Sequence, residues 1–343
     1  MEFDSENQEL DNLEDAKAPN YEQIINDLFD PEKEISVSAY YYLSDLPSEH
    51  LARLINDWPM LDERRREAIA RNLADIIENN FHVDFSPIAA DLLNDPSEKV
   101  RLAALDILWD TDKTLFIDPI ITMMKTDAAI NVRASAAGSL GHYLLMAQWG
   151  EIGIEIEEPI TQALISQITD LMTPLPVRRA SLESVASVPL PEVQTYIRDA
   201  YDSGVPEMEL SAIFAMGRSA DPIWLPTIQN ELESSDTEMR AEAAKAAGII
   251  GDSGYADLLA ELARSDEDLE VQIAAVHALG LIGNEVATNT LSQMAEEAED
   301  ESLIEAIEEA LEDMTMMGLD LDLSIIDWDG DENDAEDEGG LPV

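Results

Sequence analysis

Apolar positions recur at an interval of 32 residues in the C-terminal third of the chain. Met239, Val271 and Leu303 each head a segment whose apolar residues superimpose on those of the other two. Within one segment the apolar positions have offsets of 0, 4, 7, 8 and 11 residues, which is one stripe of a helix with about 3.6 residues per turn. A fixed period of this size is typical of stacked repeats. The pattern predicts an all-α array whose units share one apolar spine.

Copies of the same pattern extend upstream with less regular spacing. We take the residue after the heading apolar one as the reference position. Apolar stripes such as Leu225, Ile228 and Leu232 fill the intervals, so each unit is predicted to be two antiparallel helices, with the helix that carries the reference position first. The reference positions are Ser36, Arg66, Arg101, Arg133, Arg178, Glu209, Arg240, Gln272 and Ile304.

Local chemistry marks several helix ends. Ser235 with Glu238 has the spacing of a capping box, which begins a helix. Gly251 and Gly283 follow two apolar stripes and suit the left-handed residue that ends a helix. Four further glycines stand eight residues after a reference position, where a missing side chain is predicted to let the paired helix approach closely. These are Gly141, Gly217, Gly248 and Gly280.

The strings over 236–251 and 271–283 resemble HEAT repeats, specifically the phycobilisome lyase HEAT-like subtype. The resemblance covers roughly residues 21–314 and implies a right-handed α-solenoid, or alpha-alpha superhelix, of about nine helical-hairpin repeats. This family includes scaffolds, adaptors, chromophore lyase subunits and a metal hydroxylase. The resemblance therefore indicates the fold more sharply than the function.

In this family an arginine at the reference position commonly pairs with acids of adjacent repeats. Other residue types, such as Gln272, occupy some reference positions here. A continuous ladder of such pairs is therefore expected to be interrupted. The residues that match the family pattern, interpreted as structural, are Arg101, Arg133, Arg178 and Arg240.

The two ends of the chain differ from the array. Residues 1–20 are acidic and without periodicity, and are predicted to be disordered. The array over 21–314 carries an insertion at about 147–158, and an acidic tail occupies 315–343. Within the tail, 319–328 alternates leucine or isoleucine with acids, which fits either a cap on the last repeat or a docking segment.

The chain has 74 acidic and 19 basic residues, with a formal net charge of −55. This charge disfavours binding to nucleic acid or to anionic membranes, because both require a lysine or arginine surface. The chain has no cysteine, and the sequence shows no signal peptide or apolar run able to cross a bilayer. A cytoplasmic location is expected. Three explanations of the acidity stay open: solubility, adaptation to a salty cytoplasm, and binding of a basic protein.

The sequence contains motifs that resemble catalytic ones, but their surroundings do not support catalysis. Ser253 lies in a Gly-Asp-Ser-Gly string like that of trypsin-like proteases, but at a predicted turn between repeat helices. The four histidines have no paired spacing of the kind that zinc requires. Deoxyhypusine hydroxylase, which shares this repeat type, holds iron with His-Glu dipeptides, and this chain has none. No catalytic, cofactor or metal residue is assigned, and the chain is not expected to be an enzyme.

The sequence favours a scaffold or adaptor that binds a partner protein, and a basic surface on that partner would fit one of the three explanations of the acidity. In HEAT arrays the second helices line the concave side, which makes Glu231, Asp257 and Glu261 candidate contact residues. Trp149, in the insertion, is a candidate anchor because aromatic residues dominate binding energy. Two alternatives are a bilin lyase-type or other enzyme accessory subunit, and a chaperone for basic proteins. The oligomeric state stays open.

Overall fold

The computed structural model describes the backbone of residues 19–44, 46–79 and 82–326, and their side chains up to residue 316 except that of Asn79. Every regular element in this part of the chain is a helix. The helices group into two compact units, one ending at Val185 and the other beginning at Ala186. Each unit is a stack of antiparallel helix pairs, so the predicted α-solenoid architecture is confirmed.

Ten α-helices belong to the described part of the first unit. They are α1 (Tyr21–Phe29), α2 (Val37–Tyr41), α3 (Ser48–Asp57), α4 (Glu63–Asn79), α5 (Ser86–Leu92), α6 (Glu98–Ile107), α7 (Ile117–Thr126), α8 (Ile130–Trp149), α9 (Glu157–Thr169) and α10 (Leu175–Val185).

Eight α-helices belong to the described part of the second unit. They are α11 (Pro191–Tyr201), α12 (Pro206–Arg218), α13 (Leu225–Leu232), α14 (Thr237–Ile250), α15 (Ala256–Ser265), α16 (Leu269–Ile282), α17 (Glu285–Glu297) and α18 (Glu301–Ile326).

The nine predicted reference positions fall on the nine even-numbered helices, with Ser36 as the N-cap of α2. We call these the reference helices and the odd-numbered ones the intervening helices. In the described part of the chain, nine reference helices match the nine predicted stripes, because each recurrence of the stripe needs a separate helix to bury it.

Packing shows which neighbouring helices form one hairpin, and the pairs differ from those that the sequence predicted. Helix α7 packs against α8 more extensively than α8 packs against α9, and α15 packs against α16 more than α16 against α17. From α5 onward, each hairpin is therefore an intervening helix followed by a reference helix, and the prediction that the reference helix comes first was wrong. Periodicity shows which residues are buried, but it does not show which of two neighbouring helices buries them.

Within the second unit, reference helices of consecutive repeats lie in close contact, and small residues make this possible. A Cβ added to Gly248 would lie 2.6 Å from the Cα of Ala278, and one added to Gly217 would lie 2.7 Å from the Cα of Ala246. Both alanines belong to the next reference helix. The predicted close approach is confirmed, but the neighbour is the next reference helix and not the partner in the hairpin.

Helix ends follow local chemistry in most of the predicted places. Gly251 and Gly283 end α14 and α16 with φ of 72° and 62°, in the left-handed region as predicted. The N-cap of α14 is Asp236, whose carboxylate accepts hydrogen bonds from the backbone N–H groups of Glu238 and Met239. The prediction of a capping box on Ser235 was therefore wrong by one residue, because Asp236 is the N-cap and aspartate is at least as good an N-cap as serine.

The last helix extends beyond the repeat pattern. Helix α18 runs without a break from Glu301 to Ile326, so the stretch 319–328 continues this helix as far as residue 326. Asp327 and Trp328 lie outside the described residues, as do most of the acidic segment 1–20 and the tail from 329 onward. The capping and docking roles stay predictions. Across the described ranges, no helix is long and apolar enough to span a membrane.

Candidate functional site

Two reference arginines clamp successive hairpins together. Arg240 donates from Nε and Nη2 to the two carboxylate oxygens of Asp266, at 2.9 Å each, and from Nη1 to the carbonyl of Ser234 at 2.9 Å. Arg101 binds Asp127 in the same bidentate way at 2.8 and 2.7 Å. Ser234 precedes the helix of Arg240, and Asp266 precedes the next reference helix. Each clamp therefore ties one hairpin loop to the next.

These ion pairs are largely shielded from solvent. The side chains of Arg240 and Asp266 are 10% and 6% exposed. The hydrogen bond from Arg240 is the main cause that holds the pKa of Asp266 below its ordinary value. Burial works to raise the pKa of Asp127, but hydrogen bonds from Arg101 and from the Ala129 N–H outweigh it and lower that pKa.

The arginine ladder is interrupted at several repeats. Arg133 meets an amide in place of an acid, with Nη2 donating to Gln167 Oε1 at 3.2 Å. The Nε of Arg178 is buried and has no hydrogen-bond partner among the described residues. Gln272 keeps only the loop contact, donating from Nε2 to the carbonyl of Asp266 at 2.7 Å. The four arginines that match the family pattern thus differ in their partners, and only Arg101 and Arg240 form the bidentate ion pair with an aspartate.

A third clamp, at Arg66, was missed in the sequence. Its Nε donates to Asp95 Oδ2 at 2.9 Å, and the same oxygen accepts a hydrogen bond from Trp58 Nε1 at 2.7 Å. The Asp95 side chain is 1% exposed. The sequence does contain an indication of this clamp, because Arg66 stands at a reference position. It was overlooked because Arg66 is the last of three consecutive arginines.

The three candidate acidic residues lie on intervening helices of the second unit. Asp257 and Glu261 are exposed and one turn apart on α15. Glu231, on α13, is half-buried and accepts a hydrogen bond from the hydroxyl of Tyr201 on α11. Burial, followed by this hydrogen bond, raises the pKa of Tyr201 to about 12.

The order of the two helices in a hairpin decides whether these acids lie on the row of first helices or on the row of second helices. The resemblance assigns the second helix of each hairpin to the concave side, and the packing makes the reference helix the second one. Glu231, Asp257 and Glu261 therefore lie on the opposite row from the one that sequence reasoning intended. Their role as contact residues stays a prediction for the intervening row.

Trp149 is the last residue of α8 and is 65% exposed. Gly150 follows it with φ of 80° and ends the helix. The insertion at 147–158 consists of the end of this lengthened helix, a short loop and the 3-10 turn Ile154–Ile156, followed by the start of α9. The structure thus presents the predicted anchor to solvent at the end of a rigid element.

A stacked aromatic pair that includes one residue of this helix was not predicted. The indole of Trp109 stacks on the imidazole of His142, with ring centroids 5.1 Å apart and an interplanar angle of 29°. Trp109 is 47% exposed. His142 Nε2 lies 3.7 Å from the carboxylate of Asp110. Sequence reasoning could not find this pair, because the two aromatic residues belong to different repeats and share no motif.

The candidate catalytic serine has an ordinary structural setting. Ser253 begins the 3-10 turn Ser253–Tyr255 between α14 and α15. In the part of the chain that the structure describes, no group of three or more histidine, aspartate or glutamate side chains is placed to hold a metal ion.

Comparison with known families finds one similarity. The family model for HEAT repeats matches residues 197–270 and 225–312, which lie in the second unit and include helices α12 to α17. This part of the α-solenoid is thus similar to HEAT repeats. No curated protein matches the chain.

Several solved structures are similar at low identity. The Escherichia coli protein YIBA is 17% identical, with a TM-score of 0.45, over 83% of this chain and 98% of that one. Human deoxyhypusine hydroxylase, in complex with glycerol, is 15% identical with a TM-score of 0.33, over 86% and 96% of the two chains. Kap95p, whose binding acts on the switch loops of RanGDP, is 13% identical with a TM-score of 0.40. The match covers 90% of this chain and 44% of Kap95p.

Proposed function

We propose that this protein is a binding scaffold or adaptor that presents an extended acidic surface of consecutive repeats to a partner protein with a basic surface. The observation that carries the proposal is the separation of charges within the repeats. The guanidinium groups of Arg66, Arg101 and Arg240 are turned inward, with side chains 10–12% exposed. Carboxylates such as Asp257 and Glu261 are exposed. Each of these arginines is neutralised by a buried aspartate, so the clamps leave the whole negative excess of the chain on its other residues.

The mechanism follows from the repeat architecture. Each hairpin contributes a small contact area, and affinity accumulates when one partner touches several hairpins. The negative potential steers a basic partner toward this surface and raises the association rate, an effect that weakens with added salt. Apolar anchors such as Trp149 supply the part of the affinity that salt does not remove.

Two other functions make different predictions. A bilin lyase-type subunit, which the phycobilisome lyase HEAT-like subtype brings into consideration, would bind a tetrapyrrole and be coloured when purified with it. A chaperone for basic proteins would recover many basic clients, and raising the salt would release them all. The proposed scaffold works in the cytoplasm and needs no cofactor.

Affinity capture with the full chain as bait, at low and at moderate salt, tests the proposal. We expect one or two proteins at stoichiometric levels under both conditions. A broad set of basic proteins that disappears with salt would contradict the proposal and favour the chaperone.

A charge-reversal pair refines the test. The Asp257→Lys/Glu261→Lys double variant is expected to weaken capture of the recovered partner if the intervening row makes the contact. The matched control is Glu305→Lys/Glu309→Lys, which changes net charge equally at two exposed positions on the reference helix α18. Equal loss in both variants would show that only total charge matters and would remove the assignment of Asp257 and Glu261 as contact residues.

A further inference from the structure

Four large apolar side chains are exposed at one edge of the first unit. Trp109, Leu115, Trp149 and Ile154 are 47%, 67%, 65% and 59% exposed. They lie in two adjacent repeats, where a reference helix ends and the chain turns into the next intervening helix. We call these four residues the edge patch.

Helix α8 connects the members of the edge patch. The Trp109 indole stacks on His142 of α8, and Trp149 follows His142 by seven residues on the same helix. A separation of seven residues returns to the same helical face about 10 Å along the axis. The 3-10 turn that holds Ile154 packs against α8, and α7, which follows the turn that holds Leu115, does so too. Helix α8 therefore carries Trp149 at its end and supports the Trp109 indole against His142.

The exposure of these tryptophans is not explained by the packing of the repeats. Trp58 and Trp224 are 8% and 3% exposed and belong to the core. Helices α14 and α16 end ten residues after their reference positions, whereas α8 continues for sixteen. The extra six residues carry Trp149 about 9 Å beyond the end of a standard reference helix, where its side chain stays in contact with solvent.

Acidic side chains surround the edge patch. The residues of the two turns include exposed carboxylates on both sides of the tryptophans, whereas the nearby Lys113 is bound to Asp84 at 2.6 Å and to Ser86 at 2.6 Å. The exposed acids are Asp110, Asp112, Glu151, Glu155 and Glu158.

We propose that the edge patch docks an amphipathic helical segment of the partner protein, with apolar residues flanked by lysine or arginine. This inference rests on the proposed scaffold function and narrows it to one site. Two aromatic anchors supported by the same helix, with Leu115 and Ile154 beside them, match the row of apolar residues on one face of a partner helix. The acidic rim selects basic flanks, and it repels a second copy of this chain, whose net charge is −55.

The direct test uses a fluorescein-labelled 18-residue helical peptide of leucine and lysine, with leucines along one face, and a matched peptide in which glutamate replaces lysine. Fluorescence anisotropy with the full chain is expected to show binding of the lysine peptide and none of the glutamate peptide. Trp109→Ala and Trp149→Ala are each expected to weaken binding about tenfold, the loss typical of a buried aromatic anchor.

A matched control separates this surface from general stickiness. Leu171 and Met172 are 81% and 87% exposed at the opposite edge of the same unit, in the loop between α9 and α10. The Leu171→Ala/Met172→Ala variant is expected to bind the lysine peptide as the unchanged chain does. Far-UV circular dichroism and the thermal midpoint show whether each variant keeps its fold. As a second readout, the peptide should protect tryptophan emission from iodide quenching in the unchanged chain.

If the Trp109→Ala/Trp149→Ala double variant bound the lysine peptide as tightly as the unchanged chain does, the proposal that the edge patch docks a partner would be wrong. Equal binding of the lysine and glutamate peptides would contradict it too. The scaffold function stands apart from that result, because it depends on capture of a stoichiometric partner by the full chain. If capture succeeds and the double variant still binds both partner and peptide normally, the edge patch is wrong and the scaffold remains. If capture recovers no such partner, the scaffold function itself fails.

Discussion

The close contact between reference helices makes a quantitative prediction at Gly248. An alanine Cβ there would lie 2.6 Å from Cα, 2.8 Å from Cβ and 3.3 Å from the carbonyl oxygen of Ala278. Ordinary van der Waals contact begins near 3.4 Å. Because two of these three atoms belong to the backbone, no side-chain rotation relieves the overlap. Helix α16 must move away by nearly an ångström.

Two effects of opposite sign decide the result of Gly248→Ala. Overpacking a close-packed interior costs about 1–3 kcal/mol, and replacing glycine by alanine in a helix contributes up to about 1 kcal/mol of stability. Since the overlap is with backbone along a tightly packed helix pair, the cost outweighs the gain. We expect a net loss of about 1–2 kcal/mol in the free energy of unfolding.

Gly138→Ala is the matched control. Gly138 also lies inside a reference helix, but the nearest atom to an added Cβ is a ring carbon of Trp109 at 4.0 Å. Alanine there is expected to stabilise the protein by about 0.5–1 kcal/mol. Gly280→Ala should fall between the two, since its Cβ would lie 3.0 Å from the Cβ and 3.3 Å from the Cα of Ala310.

Urea unfolding followed by far-UV circular dichroism measures these changes. The midpoints should be compared transition by transition, because two compact units need not unfold together. Equal stabilisation by Gly248→Ala and Gly138→Ala would refute the packing argument, since it would mean that space exists between α14 and α16.

Three further predictions concern ionisable groups. Asp266→Asn leaves Arg240 buried without its counter-charge and should lower the unfolding free energy by about 3 kcal/mol, whereas the exposed Asp257→Asn should change it by less than about 0.5 kcal/mol. The pKa of Asp266 is lowered from 3.8, so the stabilisation by its charge is complete above that pH and is lost as pH falls through the lowered pKa. The difference between Asp266→Asn and the unchanged chain should therefore shrink in acid, and a constant difference would contradict the assignment. Tyr201 should ionise near pH 12, as measured by its ultraviolet absorbance against a Tyr201→Phe reference, and Glu231→Gln should lower that pKa only part of the way to 10, because burial is the larger cause.

The sequence predicted the repeats well because burial leaves a periodic trace. Offsets of 4, 7, 8 and 11 residues from Val271 mark the buried face of α16, and residues such as Ala275 and Leu279 are fully buried there. Gly251 and Gly283 were equally predictable, since a left-handed backbone strongly favours glycine. These features depend on short-range rules that act within one helix.

Features that depend on which helices meet were harder to predict. The order of helices within a hairpin decides the row on which Asp257 lies, and no single-helix pattern encodes that order. The hydrogen bond between Tyr201 and Glu231 spans two intervening helices. Trp109 and His142 stack across two repeats, and neither residue belongs to the repeating stripe. The candidate site therefore depends on contacts between helices, whereas the fold class depends on patterns within single helices.

The most direct test of the account is hydrogen–deuterium exchange of the full chain, alone and saturated with the captured partner. A scaffold that binds through several repeats should show slower exchange in peptides from at least three consecutive hairpins, because simultaneous contacts suppress local opening in each of them. Protection confined to a single hairpin, or absent throughout, would contradict the claim that this array acts by spreading one partner over many repeats.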